Sequence, residues 1–238
     1  MRKRIHDDYL IVLNRRSSIT PDQRFIATAV PVMHIAILTF EGFNELDSLI
    51  ALSILNRIKR SDWRVSIASP TERVCSMNGV VIERQASLED ASAADAVIVG
   101  SGIQTREVVA DAALMSQLRL DPARQLIGAQ CSGALVLAKL GLLASVSACT
   151  DLTTKPWVLE AGVSVLDQPF FARGNVATAG GCLASQYLAT WIIARIEGIE
   201  AARSAMHYVA PVGEKEAYVS RALANVTQYL PKSATAAS

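Results

Sequence analysis

LIGAQCSGALVLAKLGLL, residues 126–143, passes from one apolar pattern to another. Residues 126–130 form a short apolar run suited to a buried strand, and residues 132–143 carry apolar side chains at helical spacing. Cys131 stands at the junction. A side chain there projects at a helix N-terminus, where unpaired N–H groups and the helix dipole favour an anion, and a thiolate is such an anion. This is the logic of a nucleophile elbow, in which a tight turn presents the nucleophile and the next backbone N–H helps form an oxyanion hole. The pattern G-x-Q-C-S-G (residues 128–133) approaches the hydrolase pattern G-x-S-x-G without matching it. The competing role for such a cysteine is that of a small buried hydrophobe.

The flanking sequence repeats the same alternation. VMHIAILTF (32–40) is a continuous apolar run, as expected of a strand covered on both faces, and Gly42 ends it. NELDSLIALSILNRIKR (44–60) predicts a helix with Leu46, Leu49, Ile50, Ile54 and Ile58 facing inward and Arg57, Lys59 and Arg60 near its C-terminus. WRVSIAS (63–69) and DAVIVGSG (95–102) read as strands, and residues 106–118 as a helix. VSVLDQPFFARGNVATAGG predicts a strand pair turning at Arg173-Gly174-Asn175, followed by helices in SQYLATWIIARIEG and EKEAYVSRALANVTQYL. Strands alternating with helices of this length predict an α/β protein whose mostly parallel sheet carries helices on both faces. Residues 33–230 are expected to form one domain. Residues 1–32 lack a clear period and are expected to be a peripheral, partly disordered extension, or to precede a true start at Met33; residues 231–238 are expected to be a disordered tail.

The 23 Lys and Arg nearly cancel the 22 Asp and Glu, so the totals imply no nucleic-acid surface and no affinity for an anionic membrane. No apolar run is long enough to span a bilayer, and a basic start followed by Asp7 and Asp8 does not resemble a secretory signal. The four cysteines, Cys75, Cys131, Cys149 and Cys182, fall without a CxxC spacing. That pattern argues against a zinc site or a redox dithiol and suits free thiols in the cytoplasm. The charge balance suits a small-molecule or protein partner, with a small-molecule substrate expected, and no cofactor or metal motif is present.

Ligands of open α/β sheets collect beyond the carboxyl ends of the strands. Four segments leave the predicted strands at that edge: 41–47, 100–104, 131–133 and 178–182. Together FEGFNELD (40–47), DAVIVGSG, GAQCSGALVLAKLGLL and NVATAGG (175–181) resemble the ThiJ/PfpI superfamily, over about residues 33–198 and in family order. The resemblance implies a flavodoxin-like three-layer sandwich of the class I glutamine amidotransferase-like type. It also implies an acidic residue beside the thiol, in the register of Asp47. On a helical wheel of about 100° per residue, Asp47 lies roughly 50° from the mean of the apolar stripe and Glu45 roughly 150° away. The resemblance assigns oxyanion-hole N–H groups to Gly102 and Ser132, with Ser101 departing from the family's consecutive glycines. A carboxyl beside a thiolate should have a raised pKa and, when protonated, can donate to sulfur.

Many relatives add a histidine soon after the elbow helix, but here Asp151 follows LLASVSACT. His6, His34 and His207 lie elsewhere, which argues against a Cys-His protease or an amidotransferase. A cysteine and an acid without histidine resembles the isocyanide hydratase branch, as does GFNELD. The mechanism implied there is attack of Cys131 on the isocyanide carbon, protonation by Asp47 and hydrolysis of the thioimidate to a formamide. Thr150 and Asp151 stand where they could position water or substrate. The alternative is a non-enzymatic oxidation sensor or chaperone in which Cys131 becomes a sulfinate. A transcription regulator is disfavoured by the short chain after the domain. Cys149 and Cys182 fall near the expected site, where sulfur is more often filler than ligand, and the resemblance implies a homodimer, for which an apolar face of the early helix or the extension could serve.

Overall fold

A computed structural model describes residues 32–232. The expectations for the N-terminal extension, apart from Val32, and for residues 233–238 of the tail lie outside the described residues. The first half of the described chain runs β1 (Met33–Leu38), α1 (Glu45–Leu55), β2 (Trp63–Ala68), β3 (Arg73–Cys75), β4 (Val81–Glu83), α2 (Leu88–Ala93), β5 (Ala96–Val99), α3 (Thr105–Ala110) and α4 (Ala112–Met115). The second half runs β6 (Leu126–Gln130), α5 (Gly133–Lys139), α6 (Lys155–Glu160), β7 (Phe170–Arg173), β8 (Val176–Ala179), α7 (Ser185–Ile196), α8 (Ile199–Val209) and α9 (Lys215–Val226).

The main sheet has the order β2-β1-β5-β6-β8-β7, parallel throughout except for β7, which pairs antiparallel with β8. Strand residues alternate between two cores. Ile35, Ile37, Ala96 and Ile98 pack with α1, α7, α8 and α9, while Ala36, Leu38, Val97 and Val99 pack with α2, α3, α5 and α6. This is the α/β three-layer sandwich expected from the alternation, and burial on both faces explains why its strands read as unbroken apolar runs. β1 connects outward to β2, whereas the chain then returns past β1 to β5 and continues away from it. The edge above β1 and β5 is therefore a topological switch point, where such sheets hold their ligands.

Three local predictions need correction. The helix expected over 44–60 ends at Leu55, where Asn56 caps it with its backbone N–H to Ile54 and Leu52 and its side-chain amide to the Leu52 carbonyl. Arg60 instead pairs with Asp62 and Glu197 beyond the helix. The buried face of α1 is Asp47, Ser48, Ala51, Ile54 and Leu55, and Leu46 is 49% exposed. Contact with α7 selects the small Ser48 and Ala51, and this turns Leu46, Leu49 and Ile50 towards a groove at the helix flank. The helix expected over 106–118 is two short helices, because the Asp111 carboxylate accepts from the Leu114 N–H at 2.9 Å and starts a new one.

Candidate functional site

Cys131 follows β6 directly and has φ of 44°, which makes it the one described residue other than glycine with positive φ. Such a conformation costs of order 1–3 kcal/mol and persists only where neighbours hold it. Here they do. The Cys131 N–H donates to the Ala179 carbonyl at 2.8 Å, while its own carbonyl accepts from Thr150 Oγ1 at 2.8 Å and from the Ala134 N–H at 3.1 Å. Gly133 lets α5 begin against the end of β5, since a Cβ there would sit 2.4 Å from the Val99 carbonyl oxygen. The sulfur is nearly covered, with the residue 4% exposed.

Asp47 arrives in the first turn of α1. Asn44 caps that helix by accepting from the Leu46 N–H, and its own N–H donates to the Ser101 carbonyl at 2.8 Å, joining the loops after β1 and β5. The Ser185 hydroxyl donates to the Asp47 backbone carbonyl at 2.5 Å. The Asp47 side chain is 1% exposed, accepting from Ser101 Oγ at 2.5 Å and from Ser48 Oγ at 3.4 Å. Burial pushes its pKa from an ordinary 3.8 up to about 7, against the lowering effect of the two hydroxyls. Ser101 is thus the residue that holds the acid. A glycine in its place could not.

The carboxylate of Asp47 and the sulfurs of Cys131 and Cys182 all lie within 4.8 Å of one another. These three are the side chains near the elbow whose donor types and spacing could hold a metal ion. The sequence reading expected a thiolate at Cys131, but the surroundings favour the thiol. Burial is the largest cause, the negative charge of Asp47 the next, and donation from Gln130 Nε2 to the sulfur at 3.3 Å offsets them in part. A short helix dipole does not outweigh withdrawal from water beside an acid. At neutral pH the pair is best described as a thiol beside a carboxyl poised between its two protonation states.

The other proposed site residues are placed as follows. The Gly102 N–H donates to Ser132 Oγ at 3.0 Å, and Thr105 Oγ1 lies 2.7 Å from the same hydroxyl, so the serine side chain caps the N–H assigned to an oxyanion. The Ser132 N–H has no protein acceptor among the described residues. Asp151 accepts from the N–H groups of Thr153 and Thr154, each at 2.9 Å, and thereby caps the segment leading into α6. Its charge nonetheless reaches Cys131. His34 is bonded to Ser66 at the opposite sheet edge, and His207 pairs with Glu216 on the flank of α8 and α9. His6 lies outside the described residues.

Cys182, expected near the site with filler as its commoner role, stands in the cluster itself. It opens a 3-10 turn (Cys182–Ala184) after Gly181 and accepts from Asn44 Nδ2 at 3.1 Å. The signal was present in that the segment after β8 is one of the four at the ligand edge. Cys149, by contrast, is filler: its thiol is buried, which pushes its pKa up to about 12, and its N–H donates to Thr178 Oγ1 at 2.8 Å.

An α/β sandwich with a strained cysteine elbow and a buried acid from the first helix defines a class of thiol proteins built on a parallel sheet. Residues 33–195 match the model of the DJ-1/PfpI family, and the chain belongs to that family. Solved structures share the fold. A ThiJ/PfpI family protein from Pseudomonas syringae is 19% identical, with a TM-score of 0.67 over 89% of this chain and 95% of its own. An oxidized DJ-1 from Toxoplasma gondii is 19% identical, with a TM-score of 0.63 over 75% of this chain and 98% of its own. A cysteine-to-alanine mutant of the DJ-1 superfamily protein STM1931 from Salmonella typhimurium is 25% identical, with a TM-score of 0.64 over 76% and 100%. No curated protein sequence matches the chain at a significant level. None of the described helices is long and apolar enough to cross a membrane.

Proposed function

We propose that the protein is a peroxide-responsive thiol protein whose reacting group is Cys131. The observation that carries this reading is a carboxyl titrating near neutral pH within 4.8 Å of a sulfur fixed on a strained elbow. A group whose pKa lies near the working pH serves as both base and acid. The Asp47 carboxylate accepts the thiol proton as sulfur attacks one peroxide oxygen. The O–O bond breaks, and the acid returns that proton to the departing hydroxide, so that thiol and hydrogen peroxide give sulfenic acid and water. With 4% exposure, the sulfur suits a reagent as small as peroxide. The oxidized state named for the Toxoplasma gondii DJ-1 is in keeping with this chemistry. The reading is tested by peroxide treatment followed by peptide mapping: Cys131 should be modified before Cys75 and Cys149, and equal modification of all thiols would reject it.

A second reading, isocyanide hydratase-like addition of water to a small electrophile, is favoured by the same proton-carrying Asp47. The sulfur would attack the isocyanide carbon, Asp47 would protonate the adduct, and water would release a formamide. Formation of a formamide from an aryl isocyanide, abolished by Cys131→Ala, would establish it. Absence of turnover would leave the oxidation chemistry alone.

A homodimer is proposed across the groove of about 650 Å³ lined by Leu46, Leu49, Leu183 and Val209, next to which Val212 is 93% exposed. An apolar recess of this kind beside α1 would be covered by a second copy. Sedimentation should give a dimer for the wild type and a monomer for Leu46→Glu; a wild-type monomer would exclude it.

A further inference from the structure

Cys182 has no part in the oxidation of Cys131 described so far, yet its sulfur lies within 4.8 Å of the Cys131 sulfur. We propose that Cys182 is the resolving thiol of this site, and that oxidation ends in an intramolecular Cys131–Cys182 disulfide instead of a sulfinate. The proposal rests on the oxidation reading above and adds the fate of its first product.

The geometry provides both reach and restraint. One amide spans the gap: Gln130 Nε2 donates to Cys131 Sγ at 3.3 Å and to the Gly181 carbonyl at 2.9 Å, so the elbow and the turn carrying Cys182 are tied through one side chain. Asn44 Nδ2 holds the Cys182 sulfur from the other side at 3.1 Å. A bond requires the sulfurs to close to about 2.05 Å. Moving a cysteine between staggered χ1 wells displaces its sulfur by about 3 Å, enough to close a separation that is at most 4.8 Å. Cys182 is the less buried of the two, at the first position of a short 3-10 turn, and Gly181 before it has φ of 87°. Cys131, clamped on both sides of its peptide, stays in place. Cys149 is not in this cluster, and Cys75 lies at the end of the β3–β4 hairpin.

The chemistry balances with peroxide as the only oxidant. The first step forms the sulfenic acid on Cys131 and releases water. In the second, the Cys182 sulfur attacks the Cys131 sulfur, the S–O bond breaks, and the Cys182 proton leaves with the hydroxide as a second water. Each thiol has then given up one electron of the pair taken by peroxide. Return to the reduced state needs an external dithiol, which attacks one sulfur and leaves as its own cyclic disulfide.

The test uses the full-length protein with a few equivalents of hydrogen peroxide, since the disulfide consumes one and a sulfinate two, read by intact mass and by non-reducing peptide mapping. The wild type should lose about 2 Da, yield a cross-linked peptide joining Cys131 and Cys182, and recover fully with dithiothreitol. Cys182→Ala and Cys182→Ser should instead gain about 32 Da on Cys131, with no recovery, and should trap more of a sulfenic-acid probe on the way. Overturning the proposal requires the wild type to accumulate the Cys131 sulfinate as fast as Cys182→Ala, without the cross-link; the oxidation reading would then survive alone. No modification of Cys131 in any variant would remove the oxidation reading, and this proposal with it.

Discussion

Cys131 and Cys149 are both buried thiols whose pKa is raised chiefly by withdrawal from water. Their surroundings otherwise differ. Cys131 sits on left-handed backbone with a carboxyl and a second thiol in reach, whereas Cys149 stands outside that cluster and is seated by Thr178. Burial therefore does not separate the sulfur proposed to react from the one proposed only to pack. What distinguishes them is a neighbouring group able to move a proton at neutral pH, together with a backbone held in a conformation that a packing residue would not need.

The strongest way to break this contrast is to exchange the two thiols for alanine. Cys131→Ala should abolish fast peroxide consumption, while Cys149→Ala should leave its rate within about twofold and lower stability by about 1 kcal/mol, as loss of a small buried group does. Equal loss of rate in both variants would erase the distinction.

The next effect is on stability against pH. The native state holds the Asp47 proton up to about pH 7, and the unfolded chain releases it near 3.8. The folded pKa is the higher one, so this contribution is fully present below 3.8 and is lost as pH rises through 7, on the order of 4 kcal/mol in all. Denaturant titrations should show stability falling across that interval in the wild type and a flatter profile in Asp47→Asn. The same titration gives a peroxide rate that rises with pH through about 7, because the carboxylate is the base.

A smaller effect tests whether backbone crowding separates the two regions. A Cβ at Gly133 would meet the Val99 carbonyl oxygen at 2.4 Å, and one at Gly180 would meet the Thr150 carbonyl oxygen at 2.4 Å. Gly133→Ala and Gly180→Ala should each cost about 3 kcal/mol by thermal or denaturant unfolding, as overpacking against backbone does. A large cost at Gly133 alone would make crowding a property of the elbow.

The mildest change sharpens the role of the acid. Ser101→Ala removes a hydroxyl that stabilises the carboxylate, so the Asp47 pKa should rise further and the midpoint of the pH–rate profile should move up by about one unit, equivalent to about 1.4 kcal/mol. An unmoved midpoint would mean that Ser101 only fills space.

The strands β1, β5 and β6 were legible because a strand covered on both faces has a continuous apolar sequence. Cys131 was legible for a related reason: a run of that kind stops at it and a helix follows. The limits of α1 were less so. Leu46, Leu49 and Ile50 looked like a core stripe, yet the helix buries Ser48 and Ala51 against α7, a choice set by how closely two helices approach rather than by hydrophobicity. Ser101 was visible only as a departure from consecutive glycines; its purpose depends on a carboxyl 54 residues away in the chain. Cys182 was legible only as part of a segment at the ligand edge; its distance from Cys131 follows from β6 and β8 being neighbours in the sheet, which no local pattern encodes.

The near-complete covering of Cys131 also affects how this protein looks on the bench. A bulky aromatic disulfide used to count thiols would meet the half-buried Cys75 and Cys182 first and would leave Cys131 and Cys149 silent until the chain unfolds. By that measure the sulfur proposed to react with peroxide is indistinguishable from a packing one. Ranking the four thiols by their response to a large reagent would place Cys131 among the last, although it is the thiol proposed to meet a small one first.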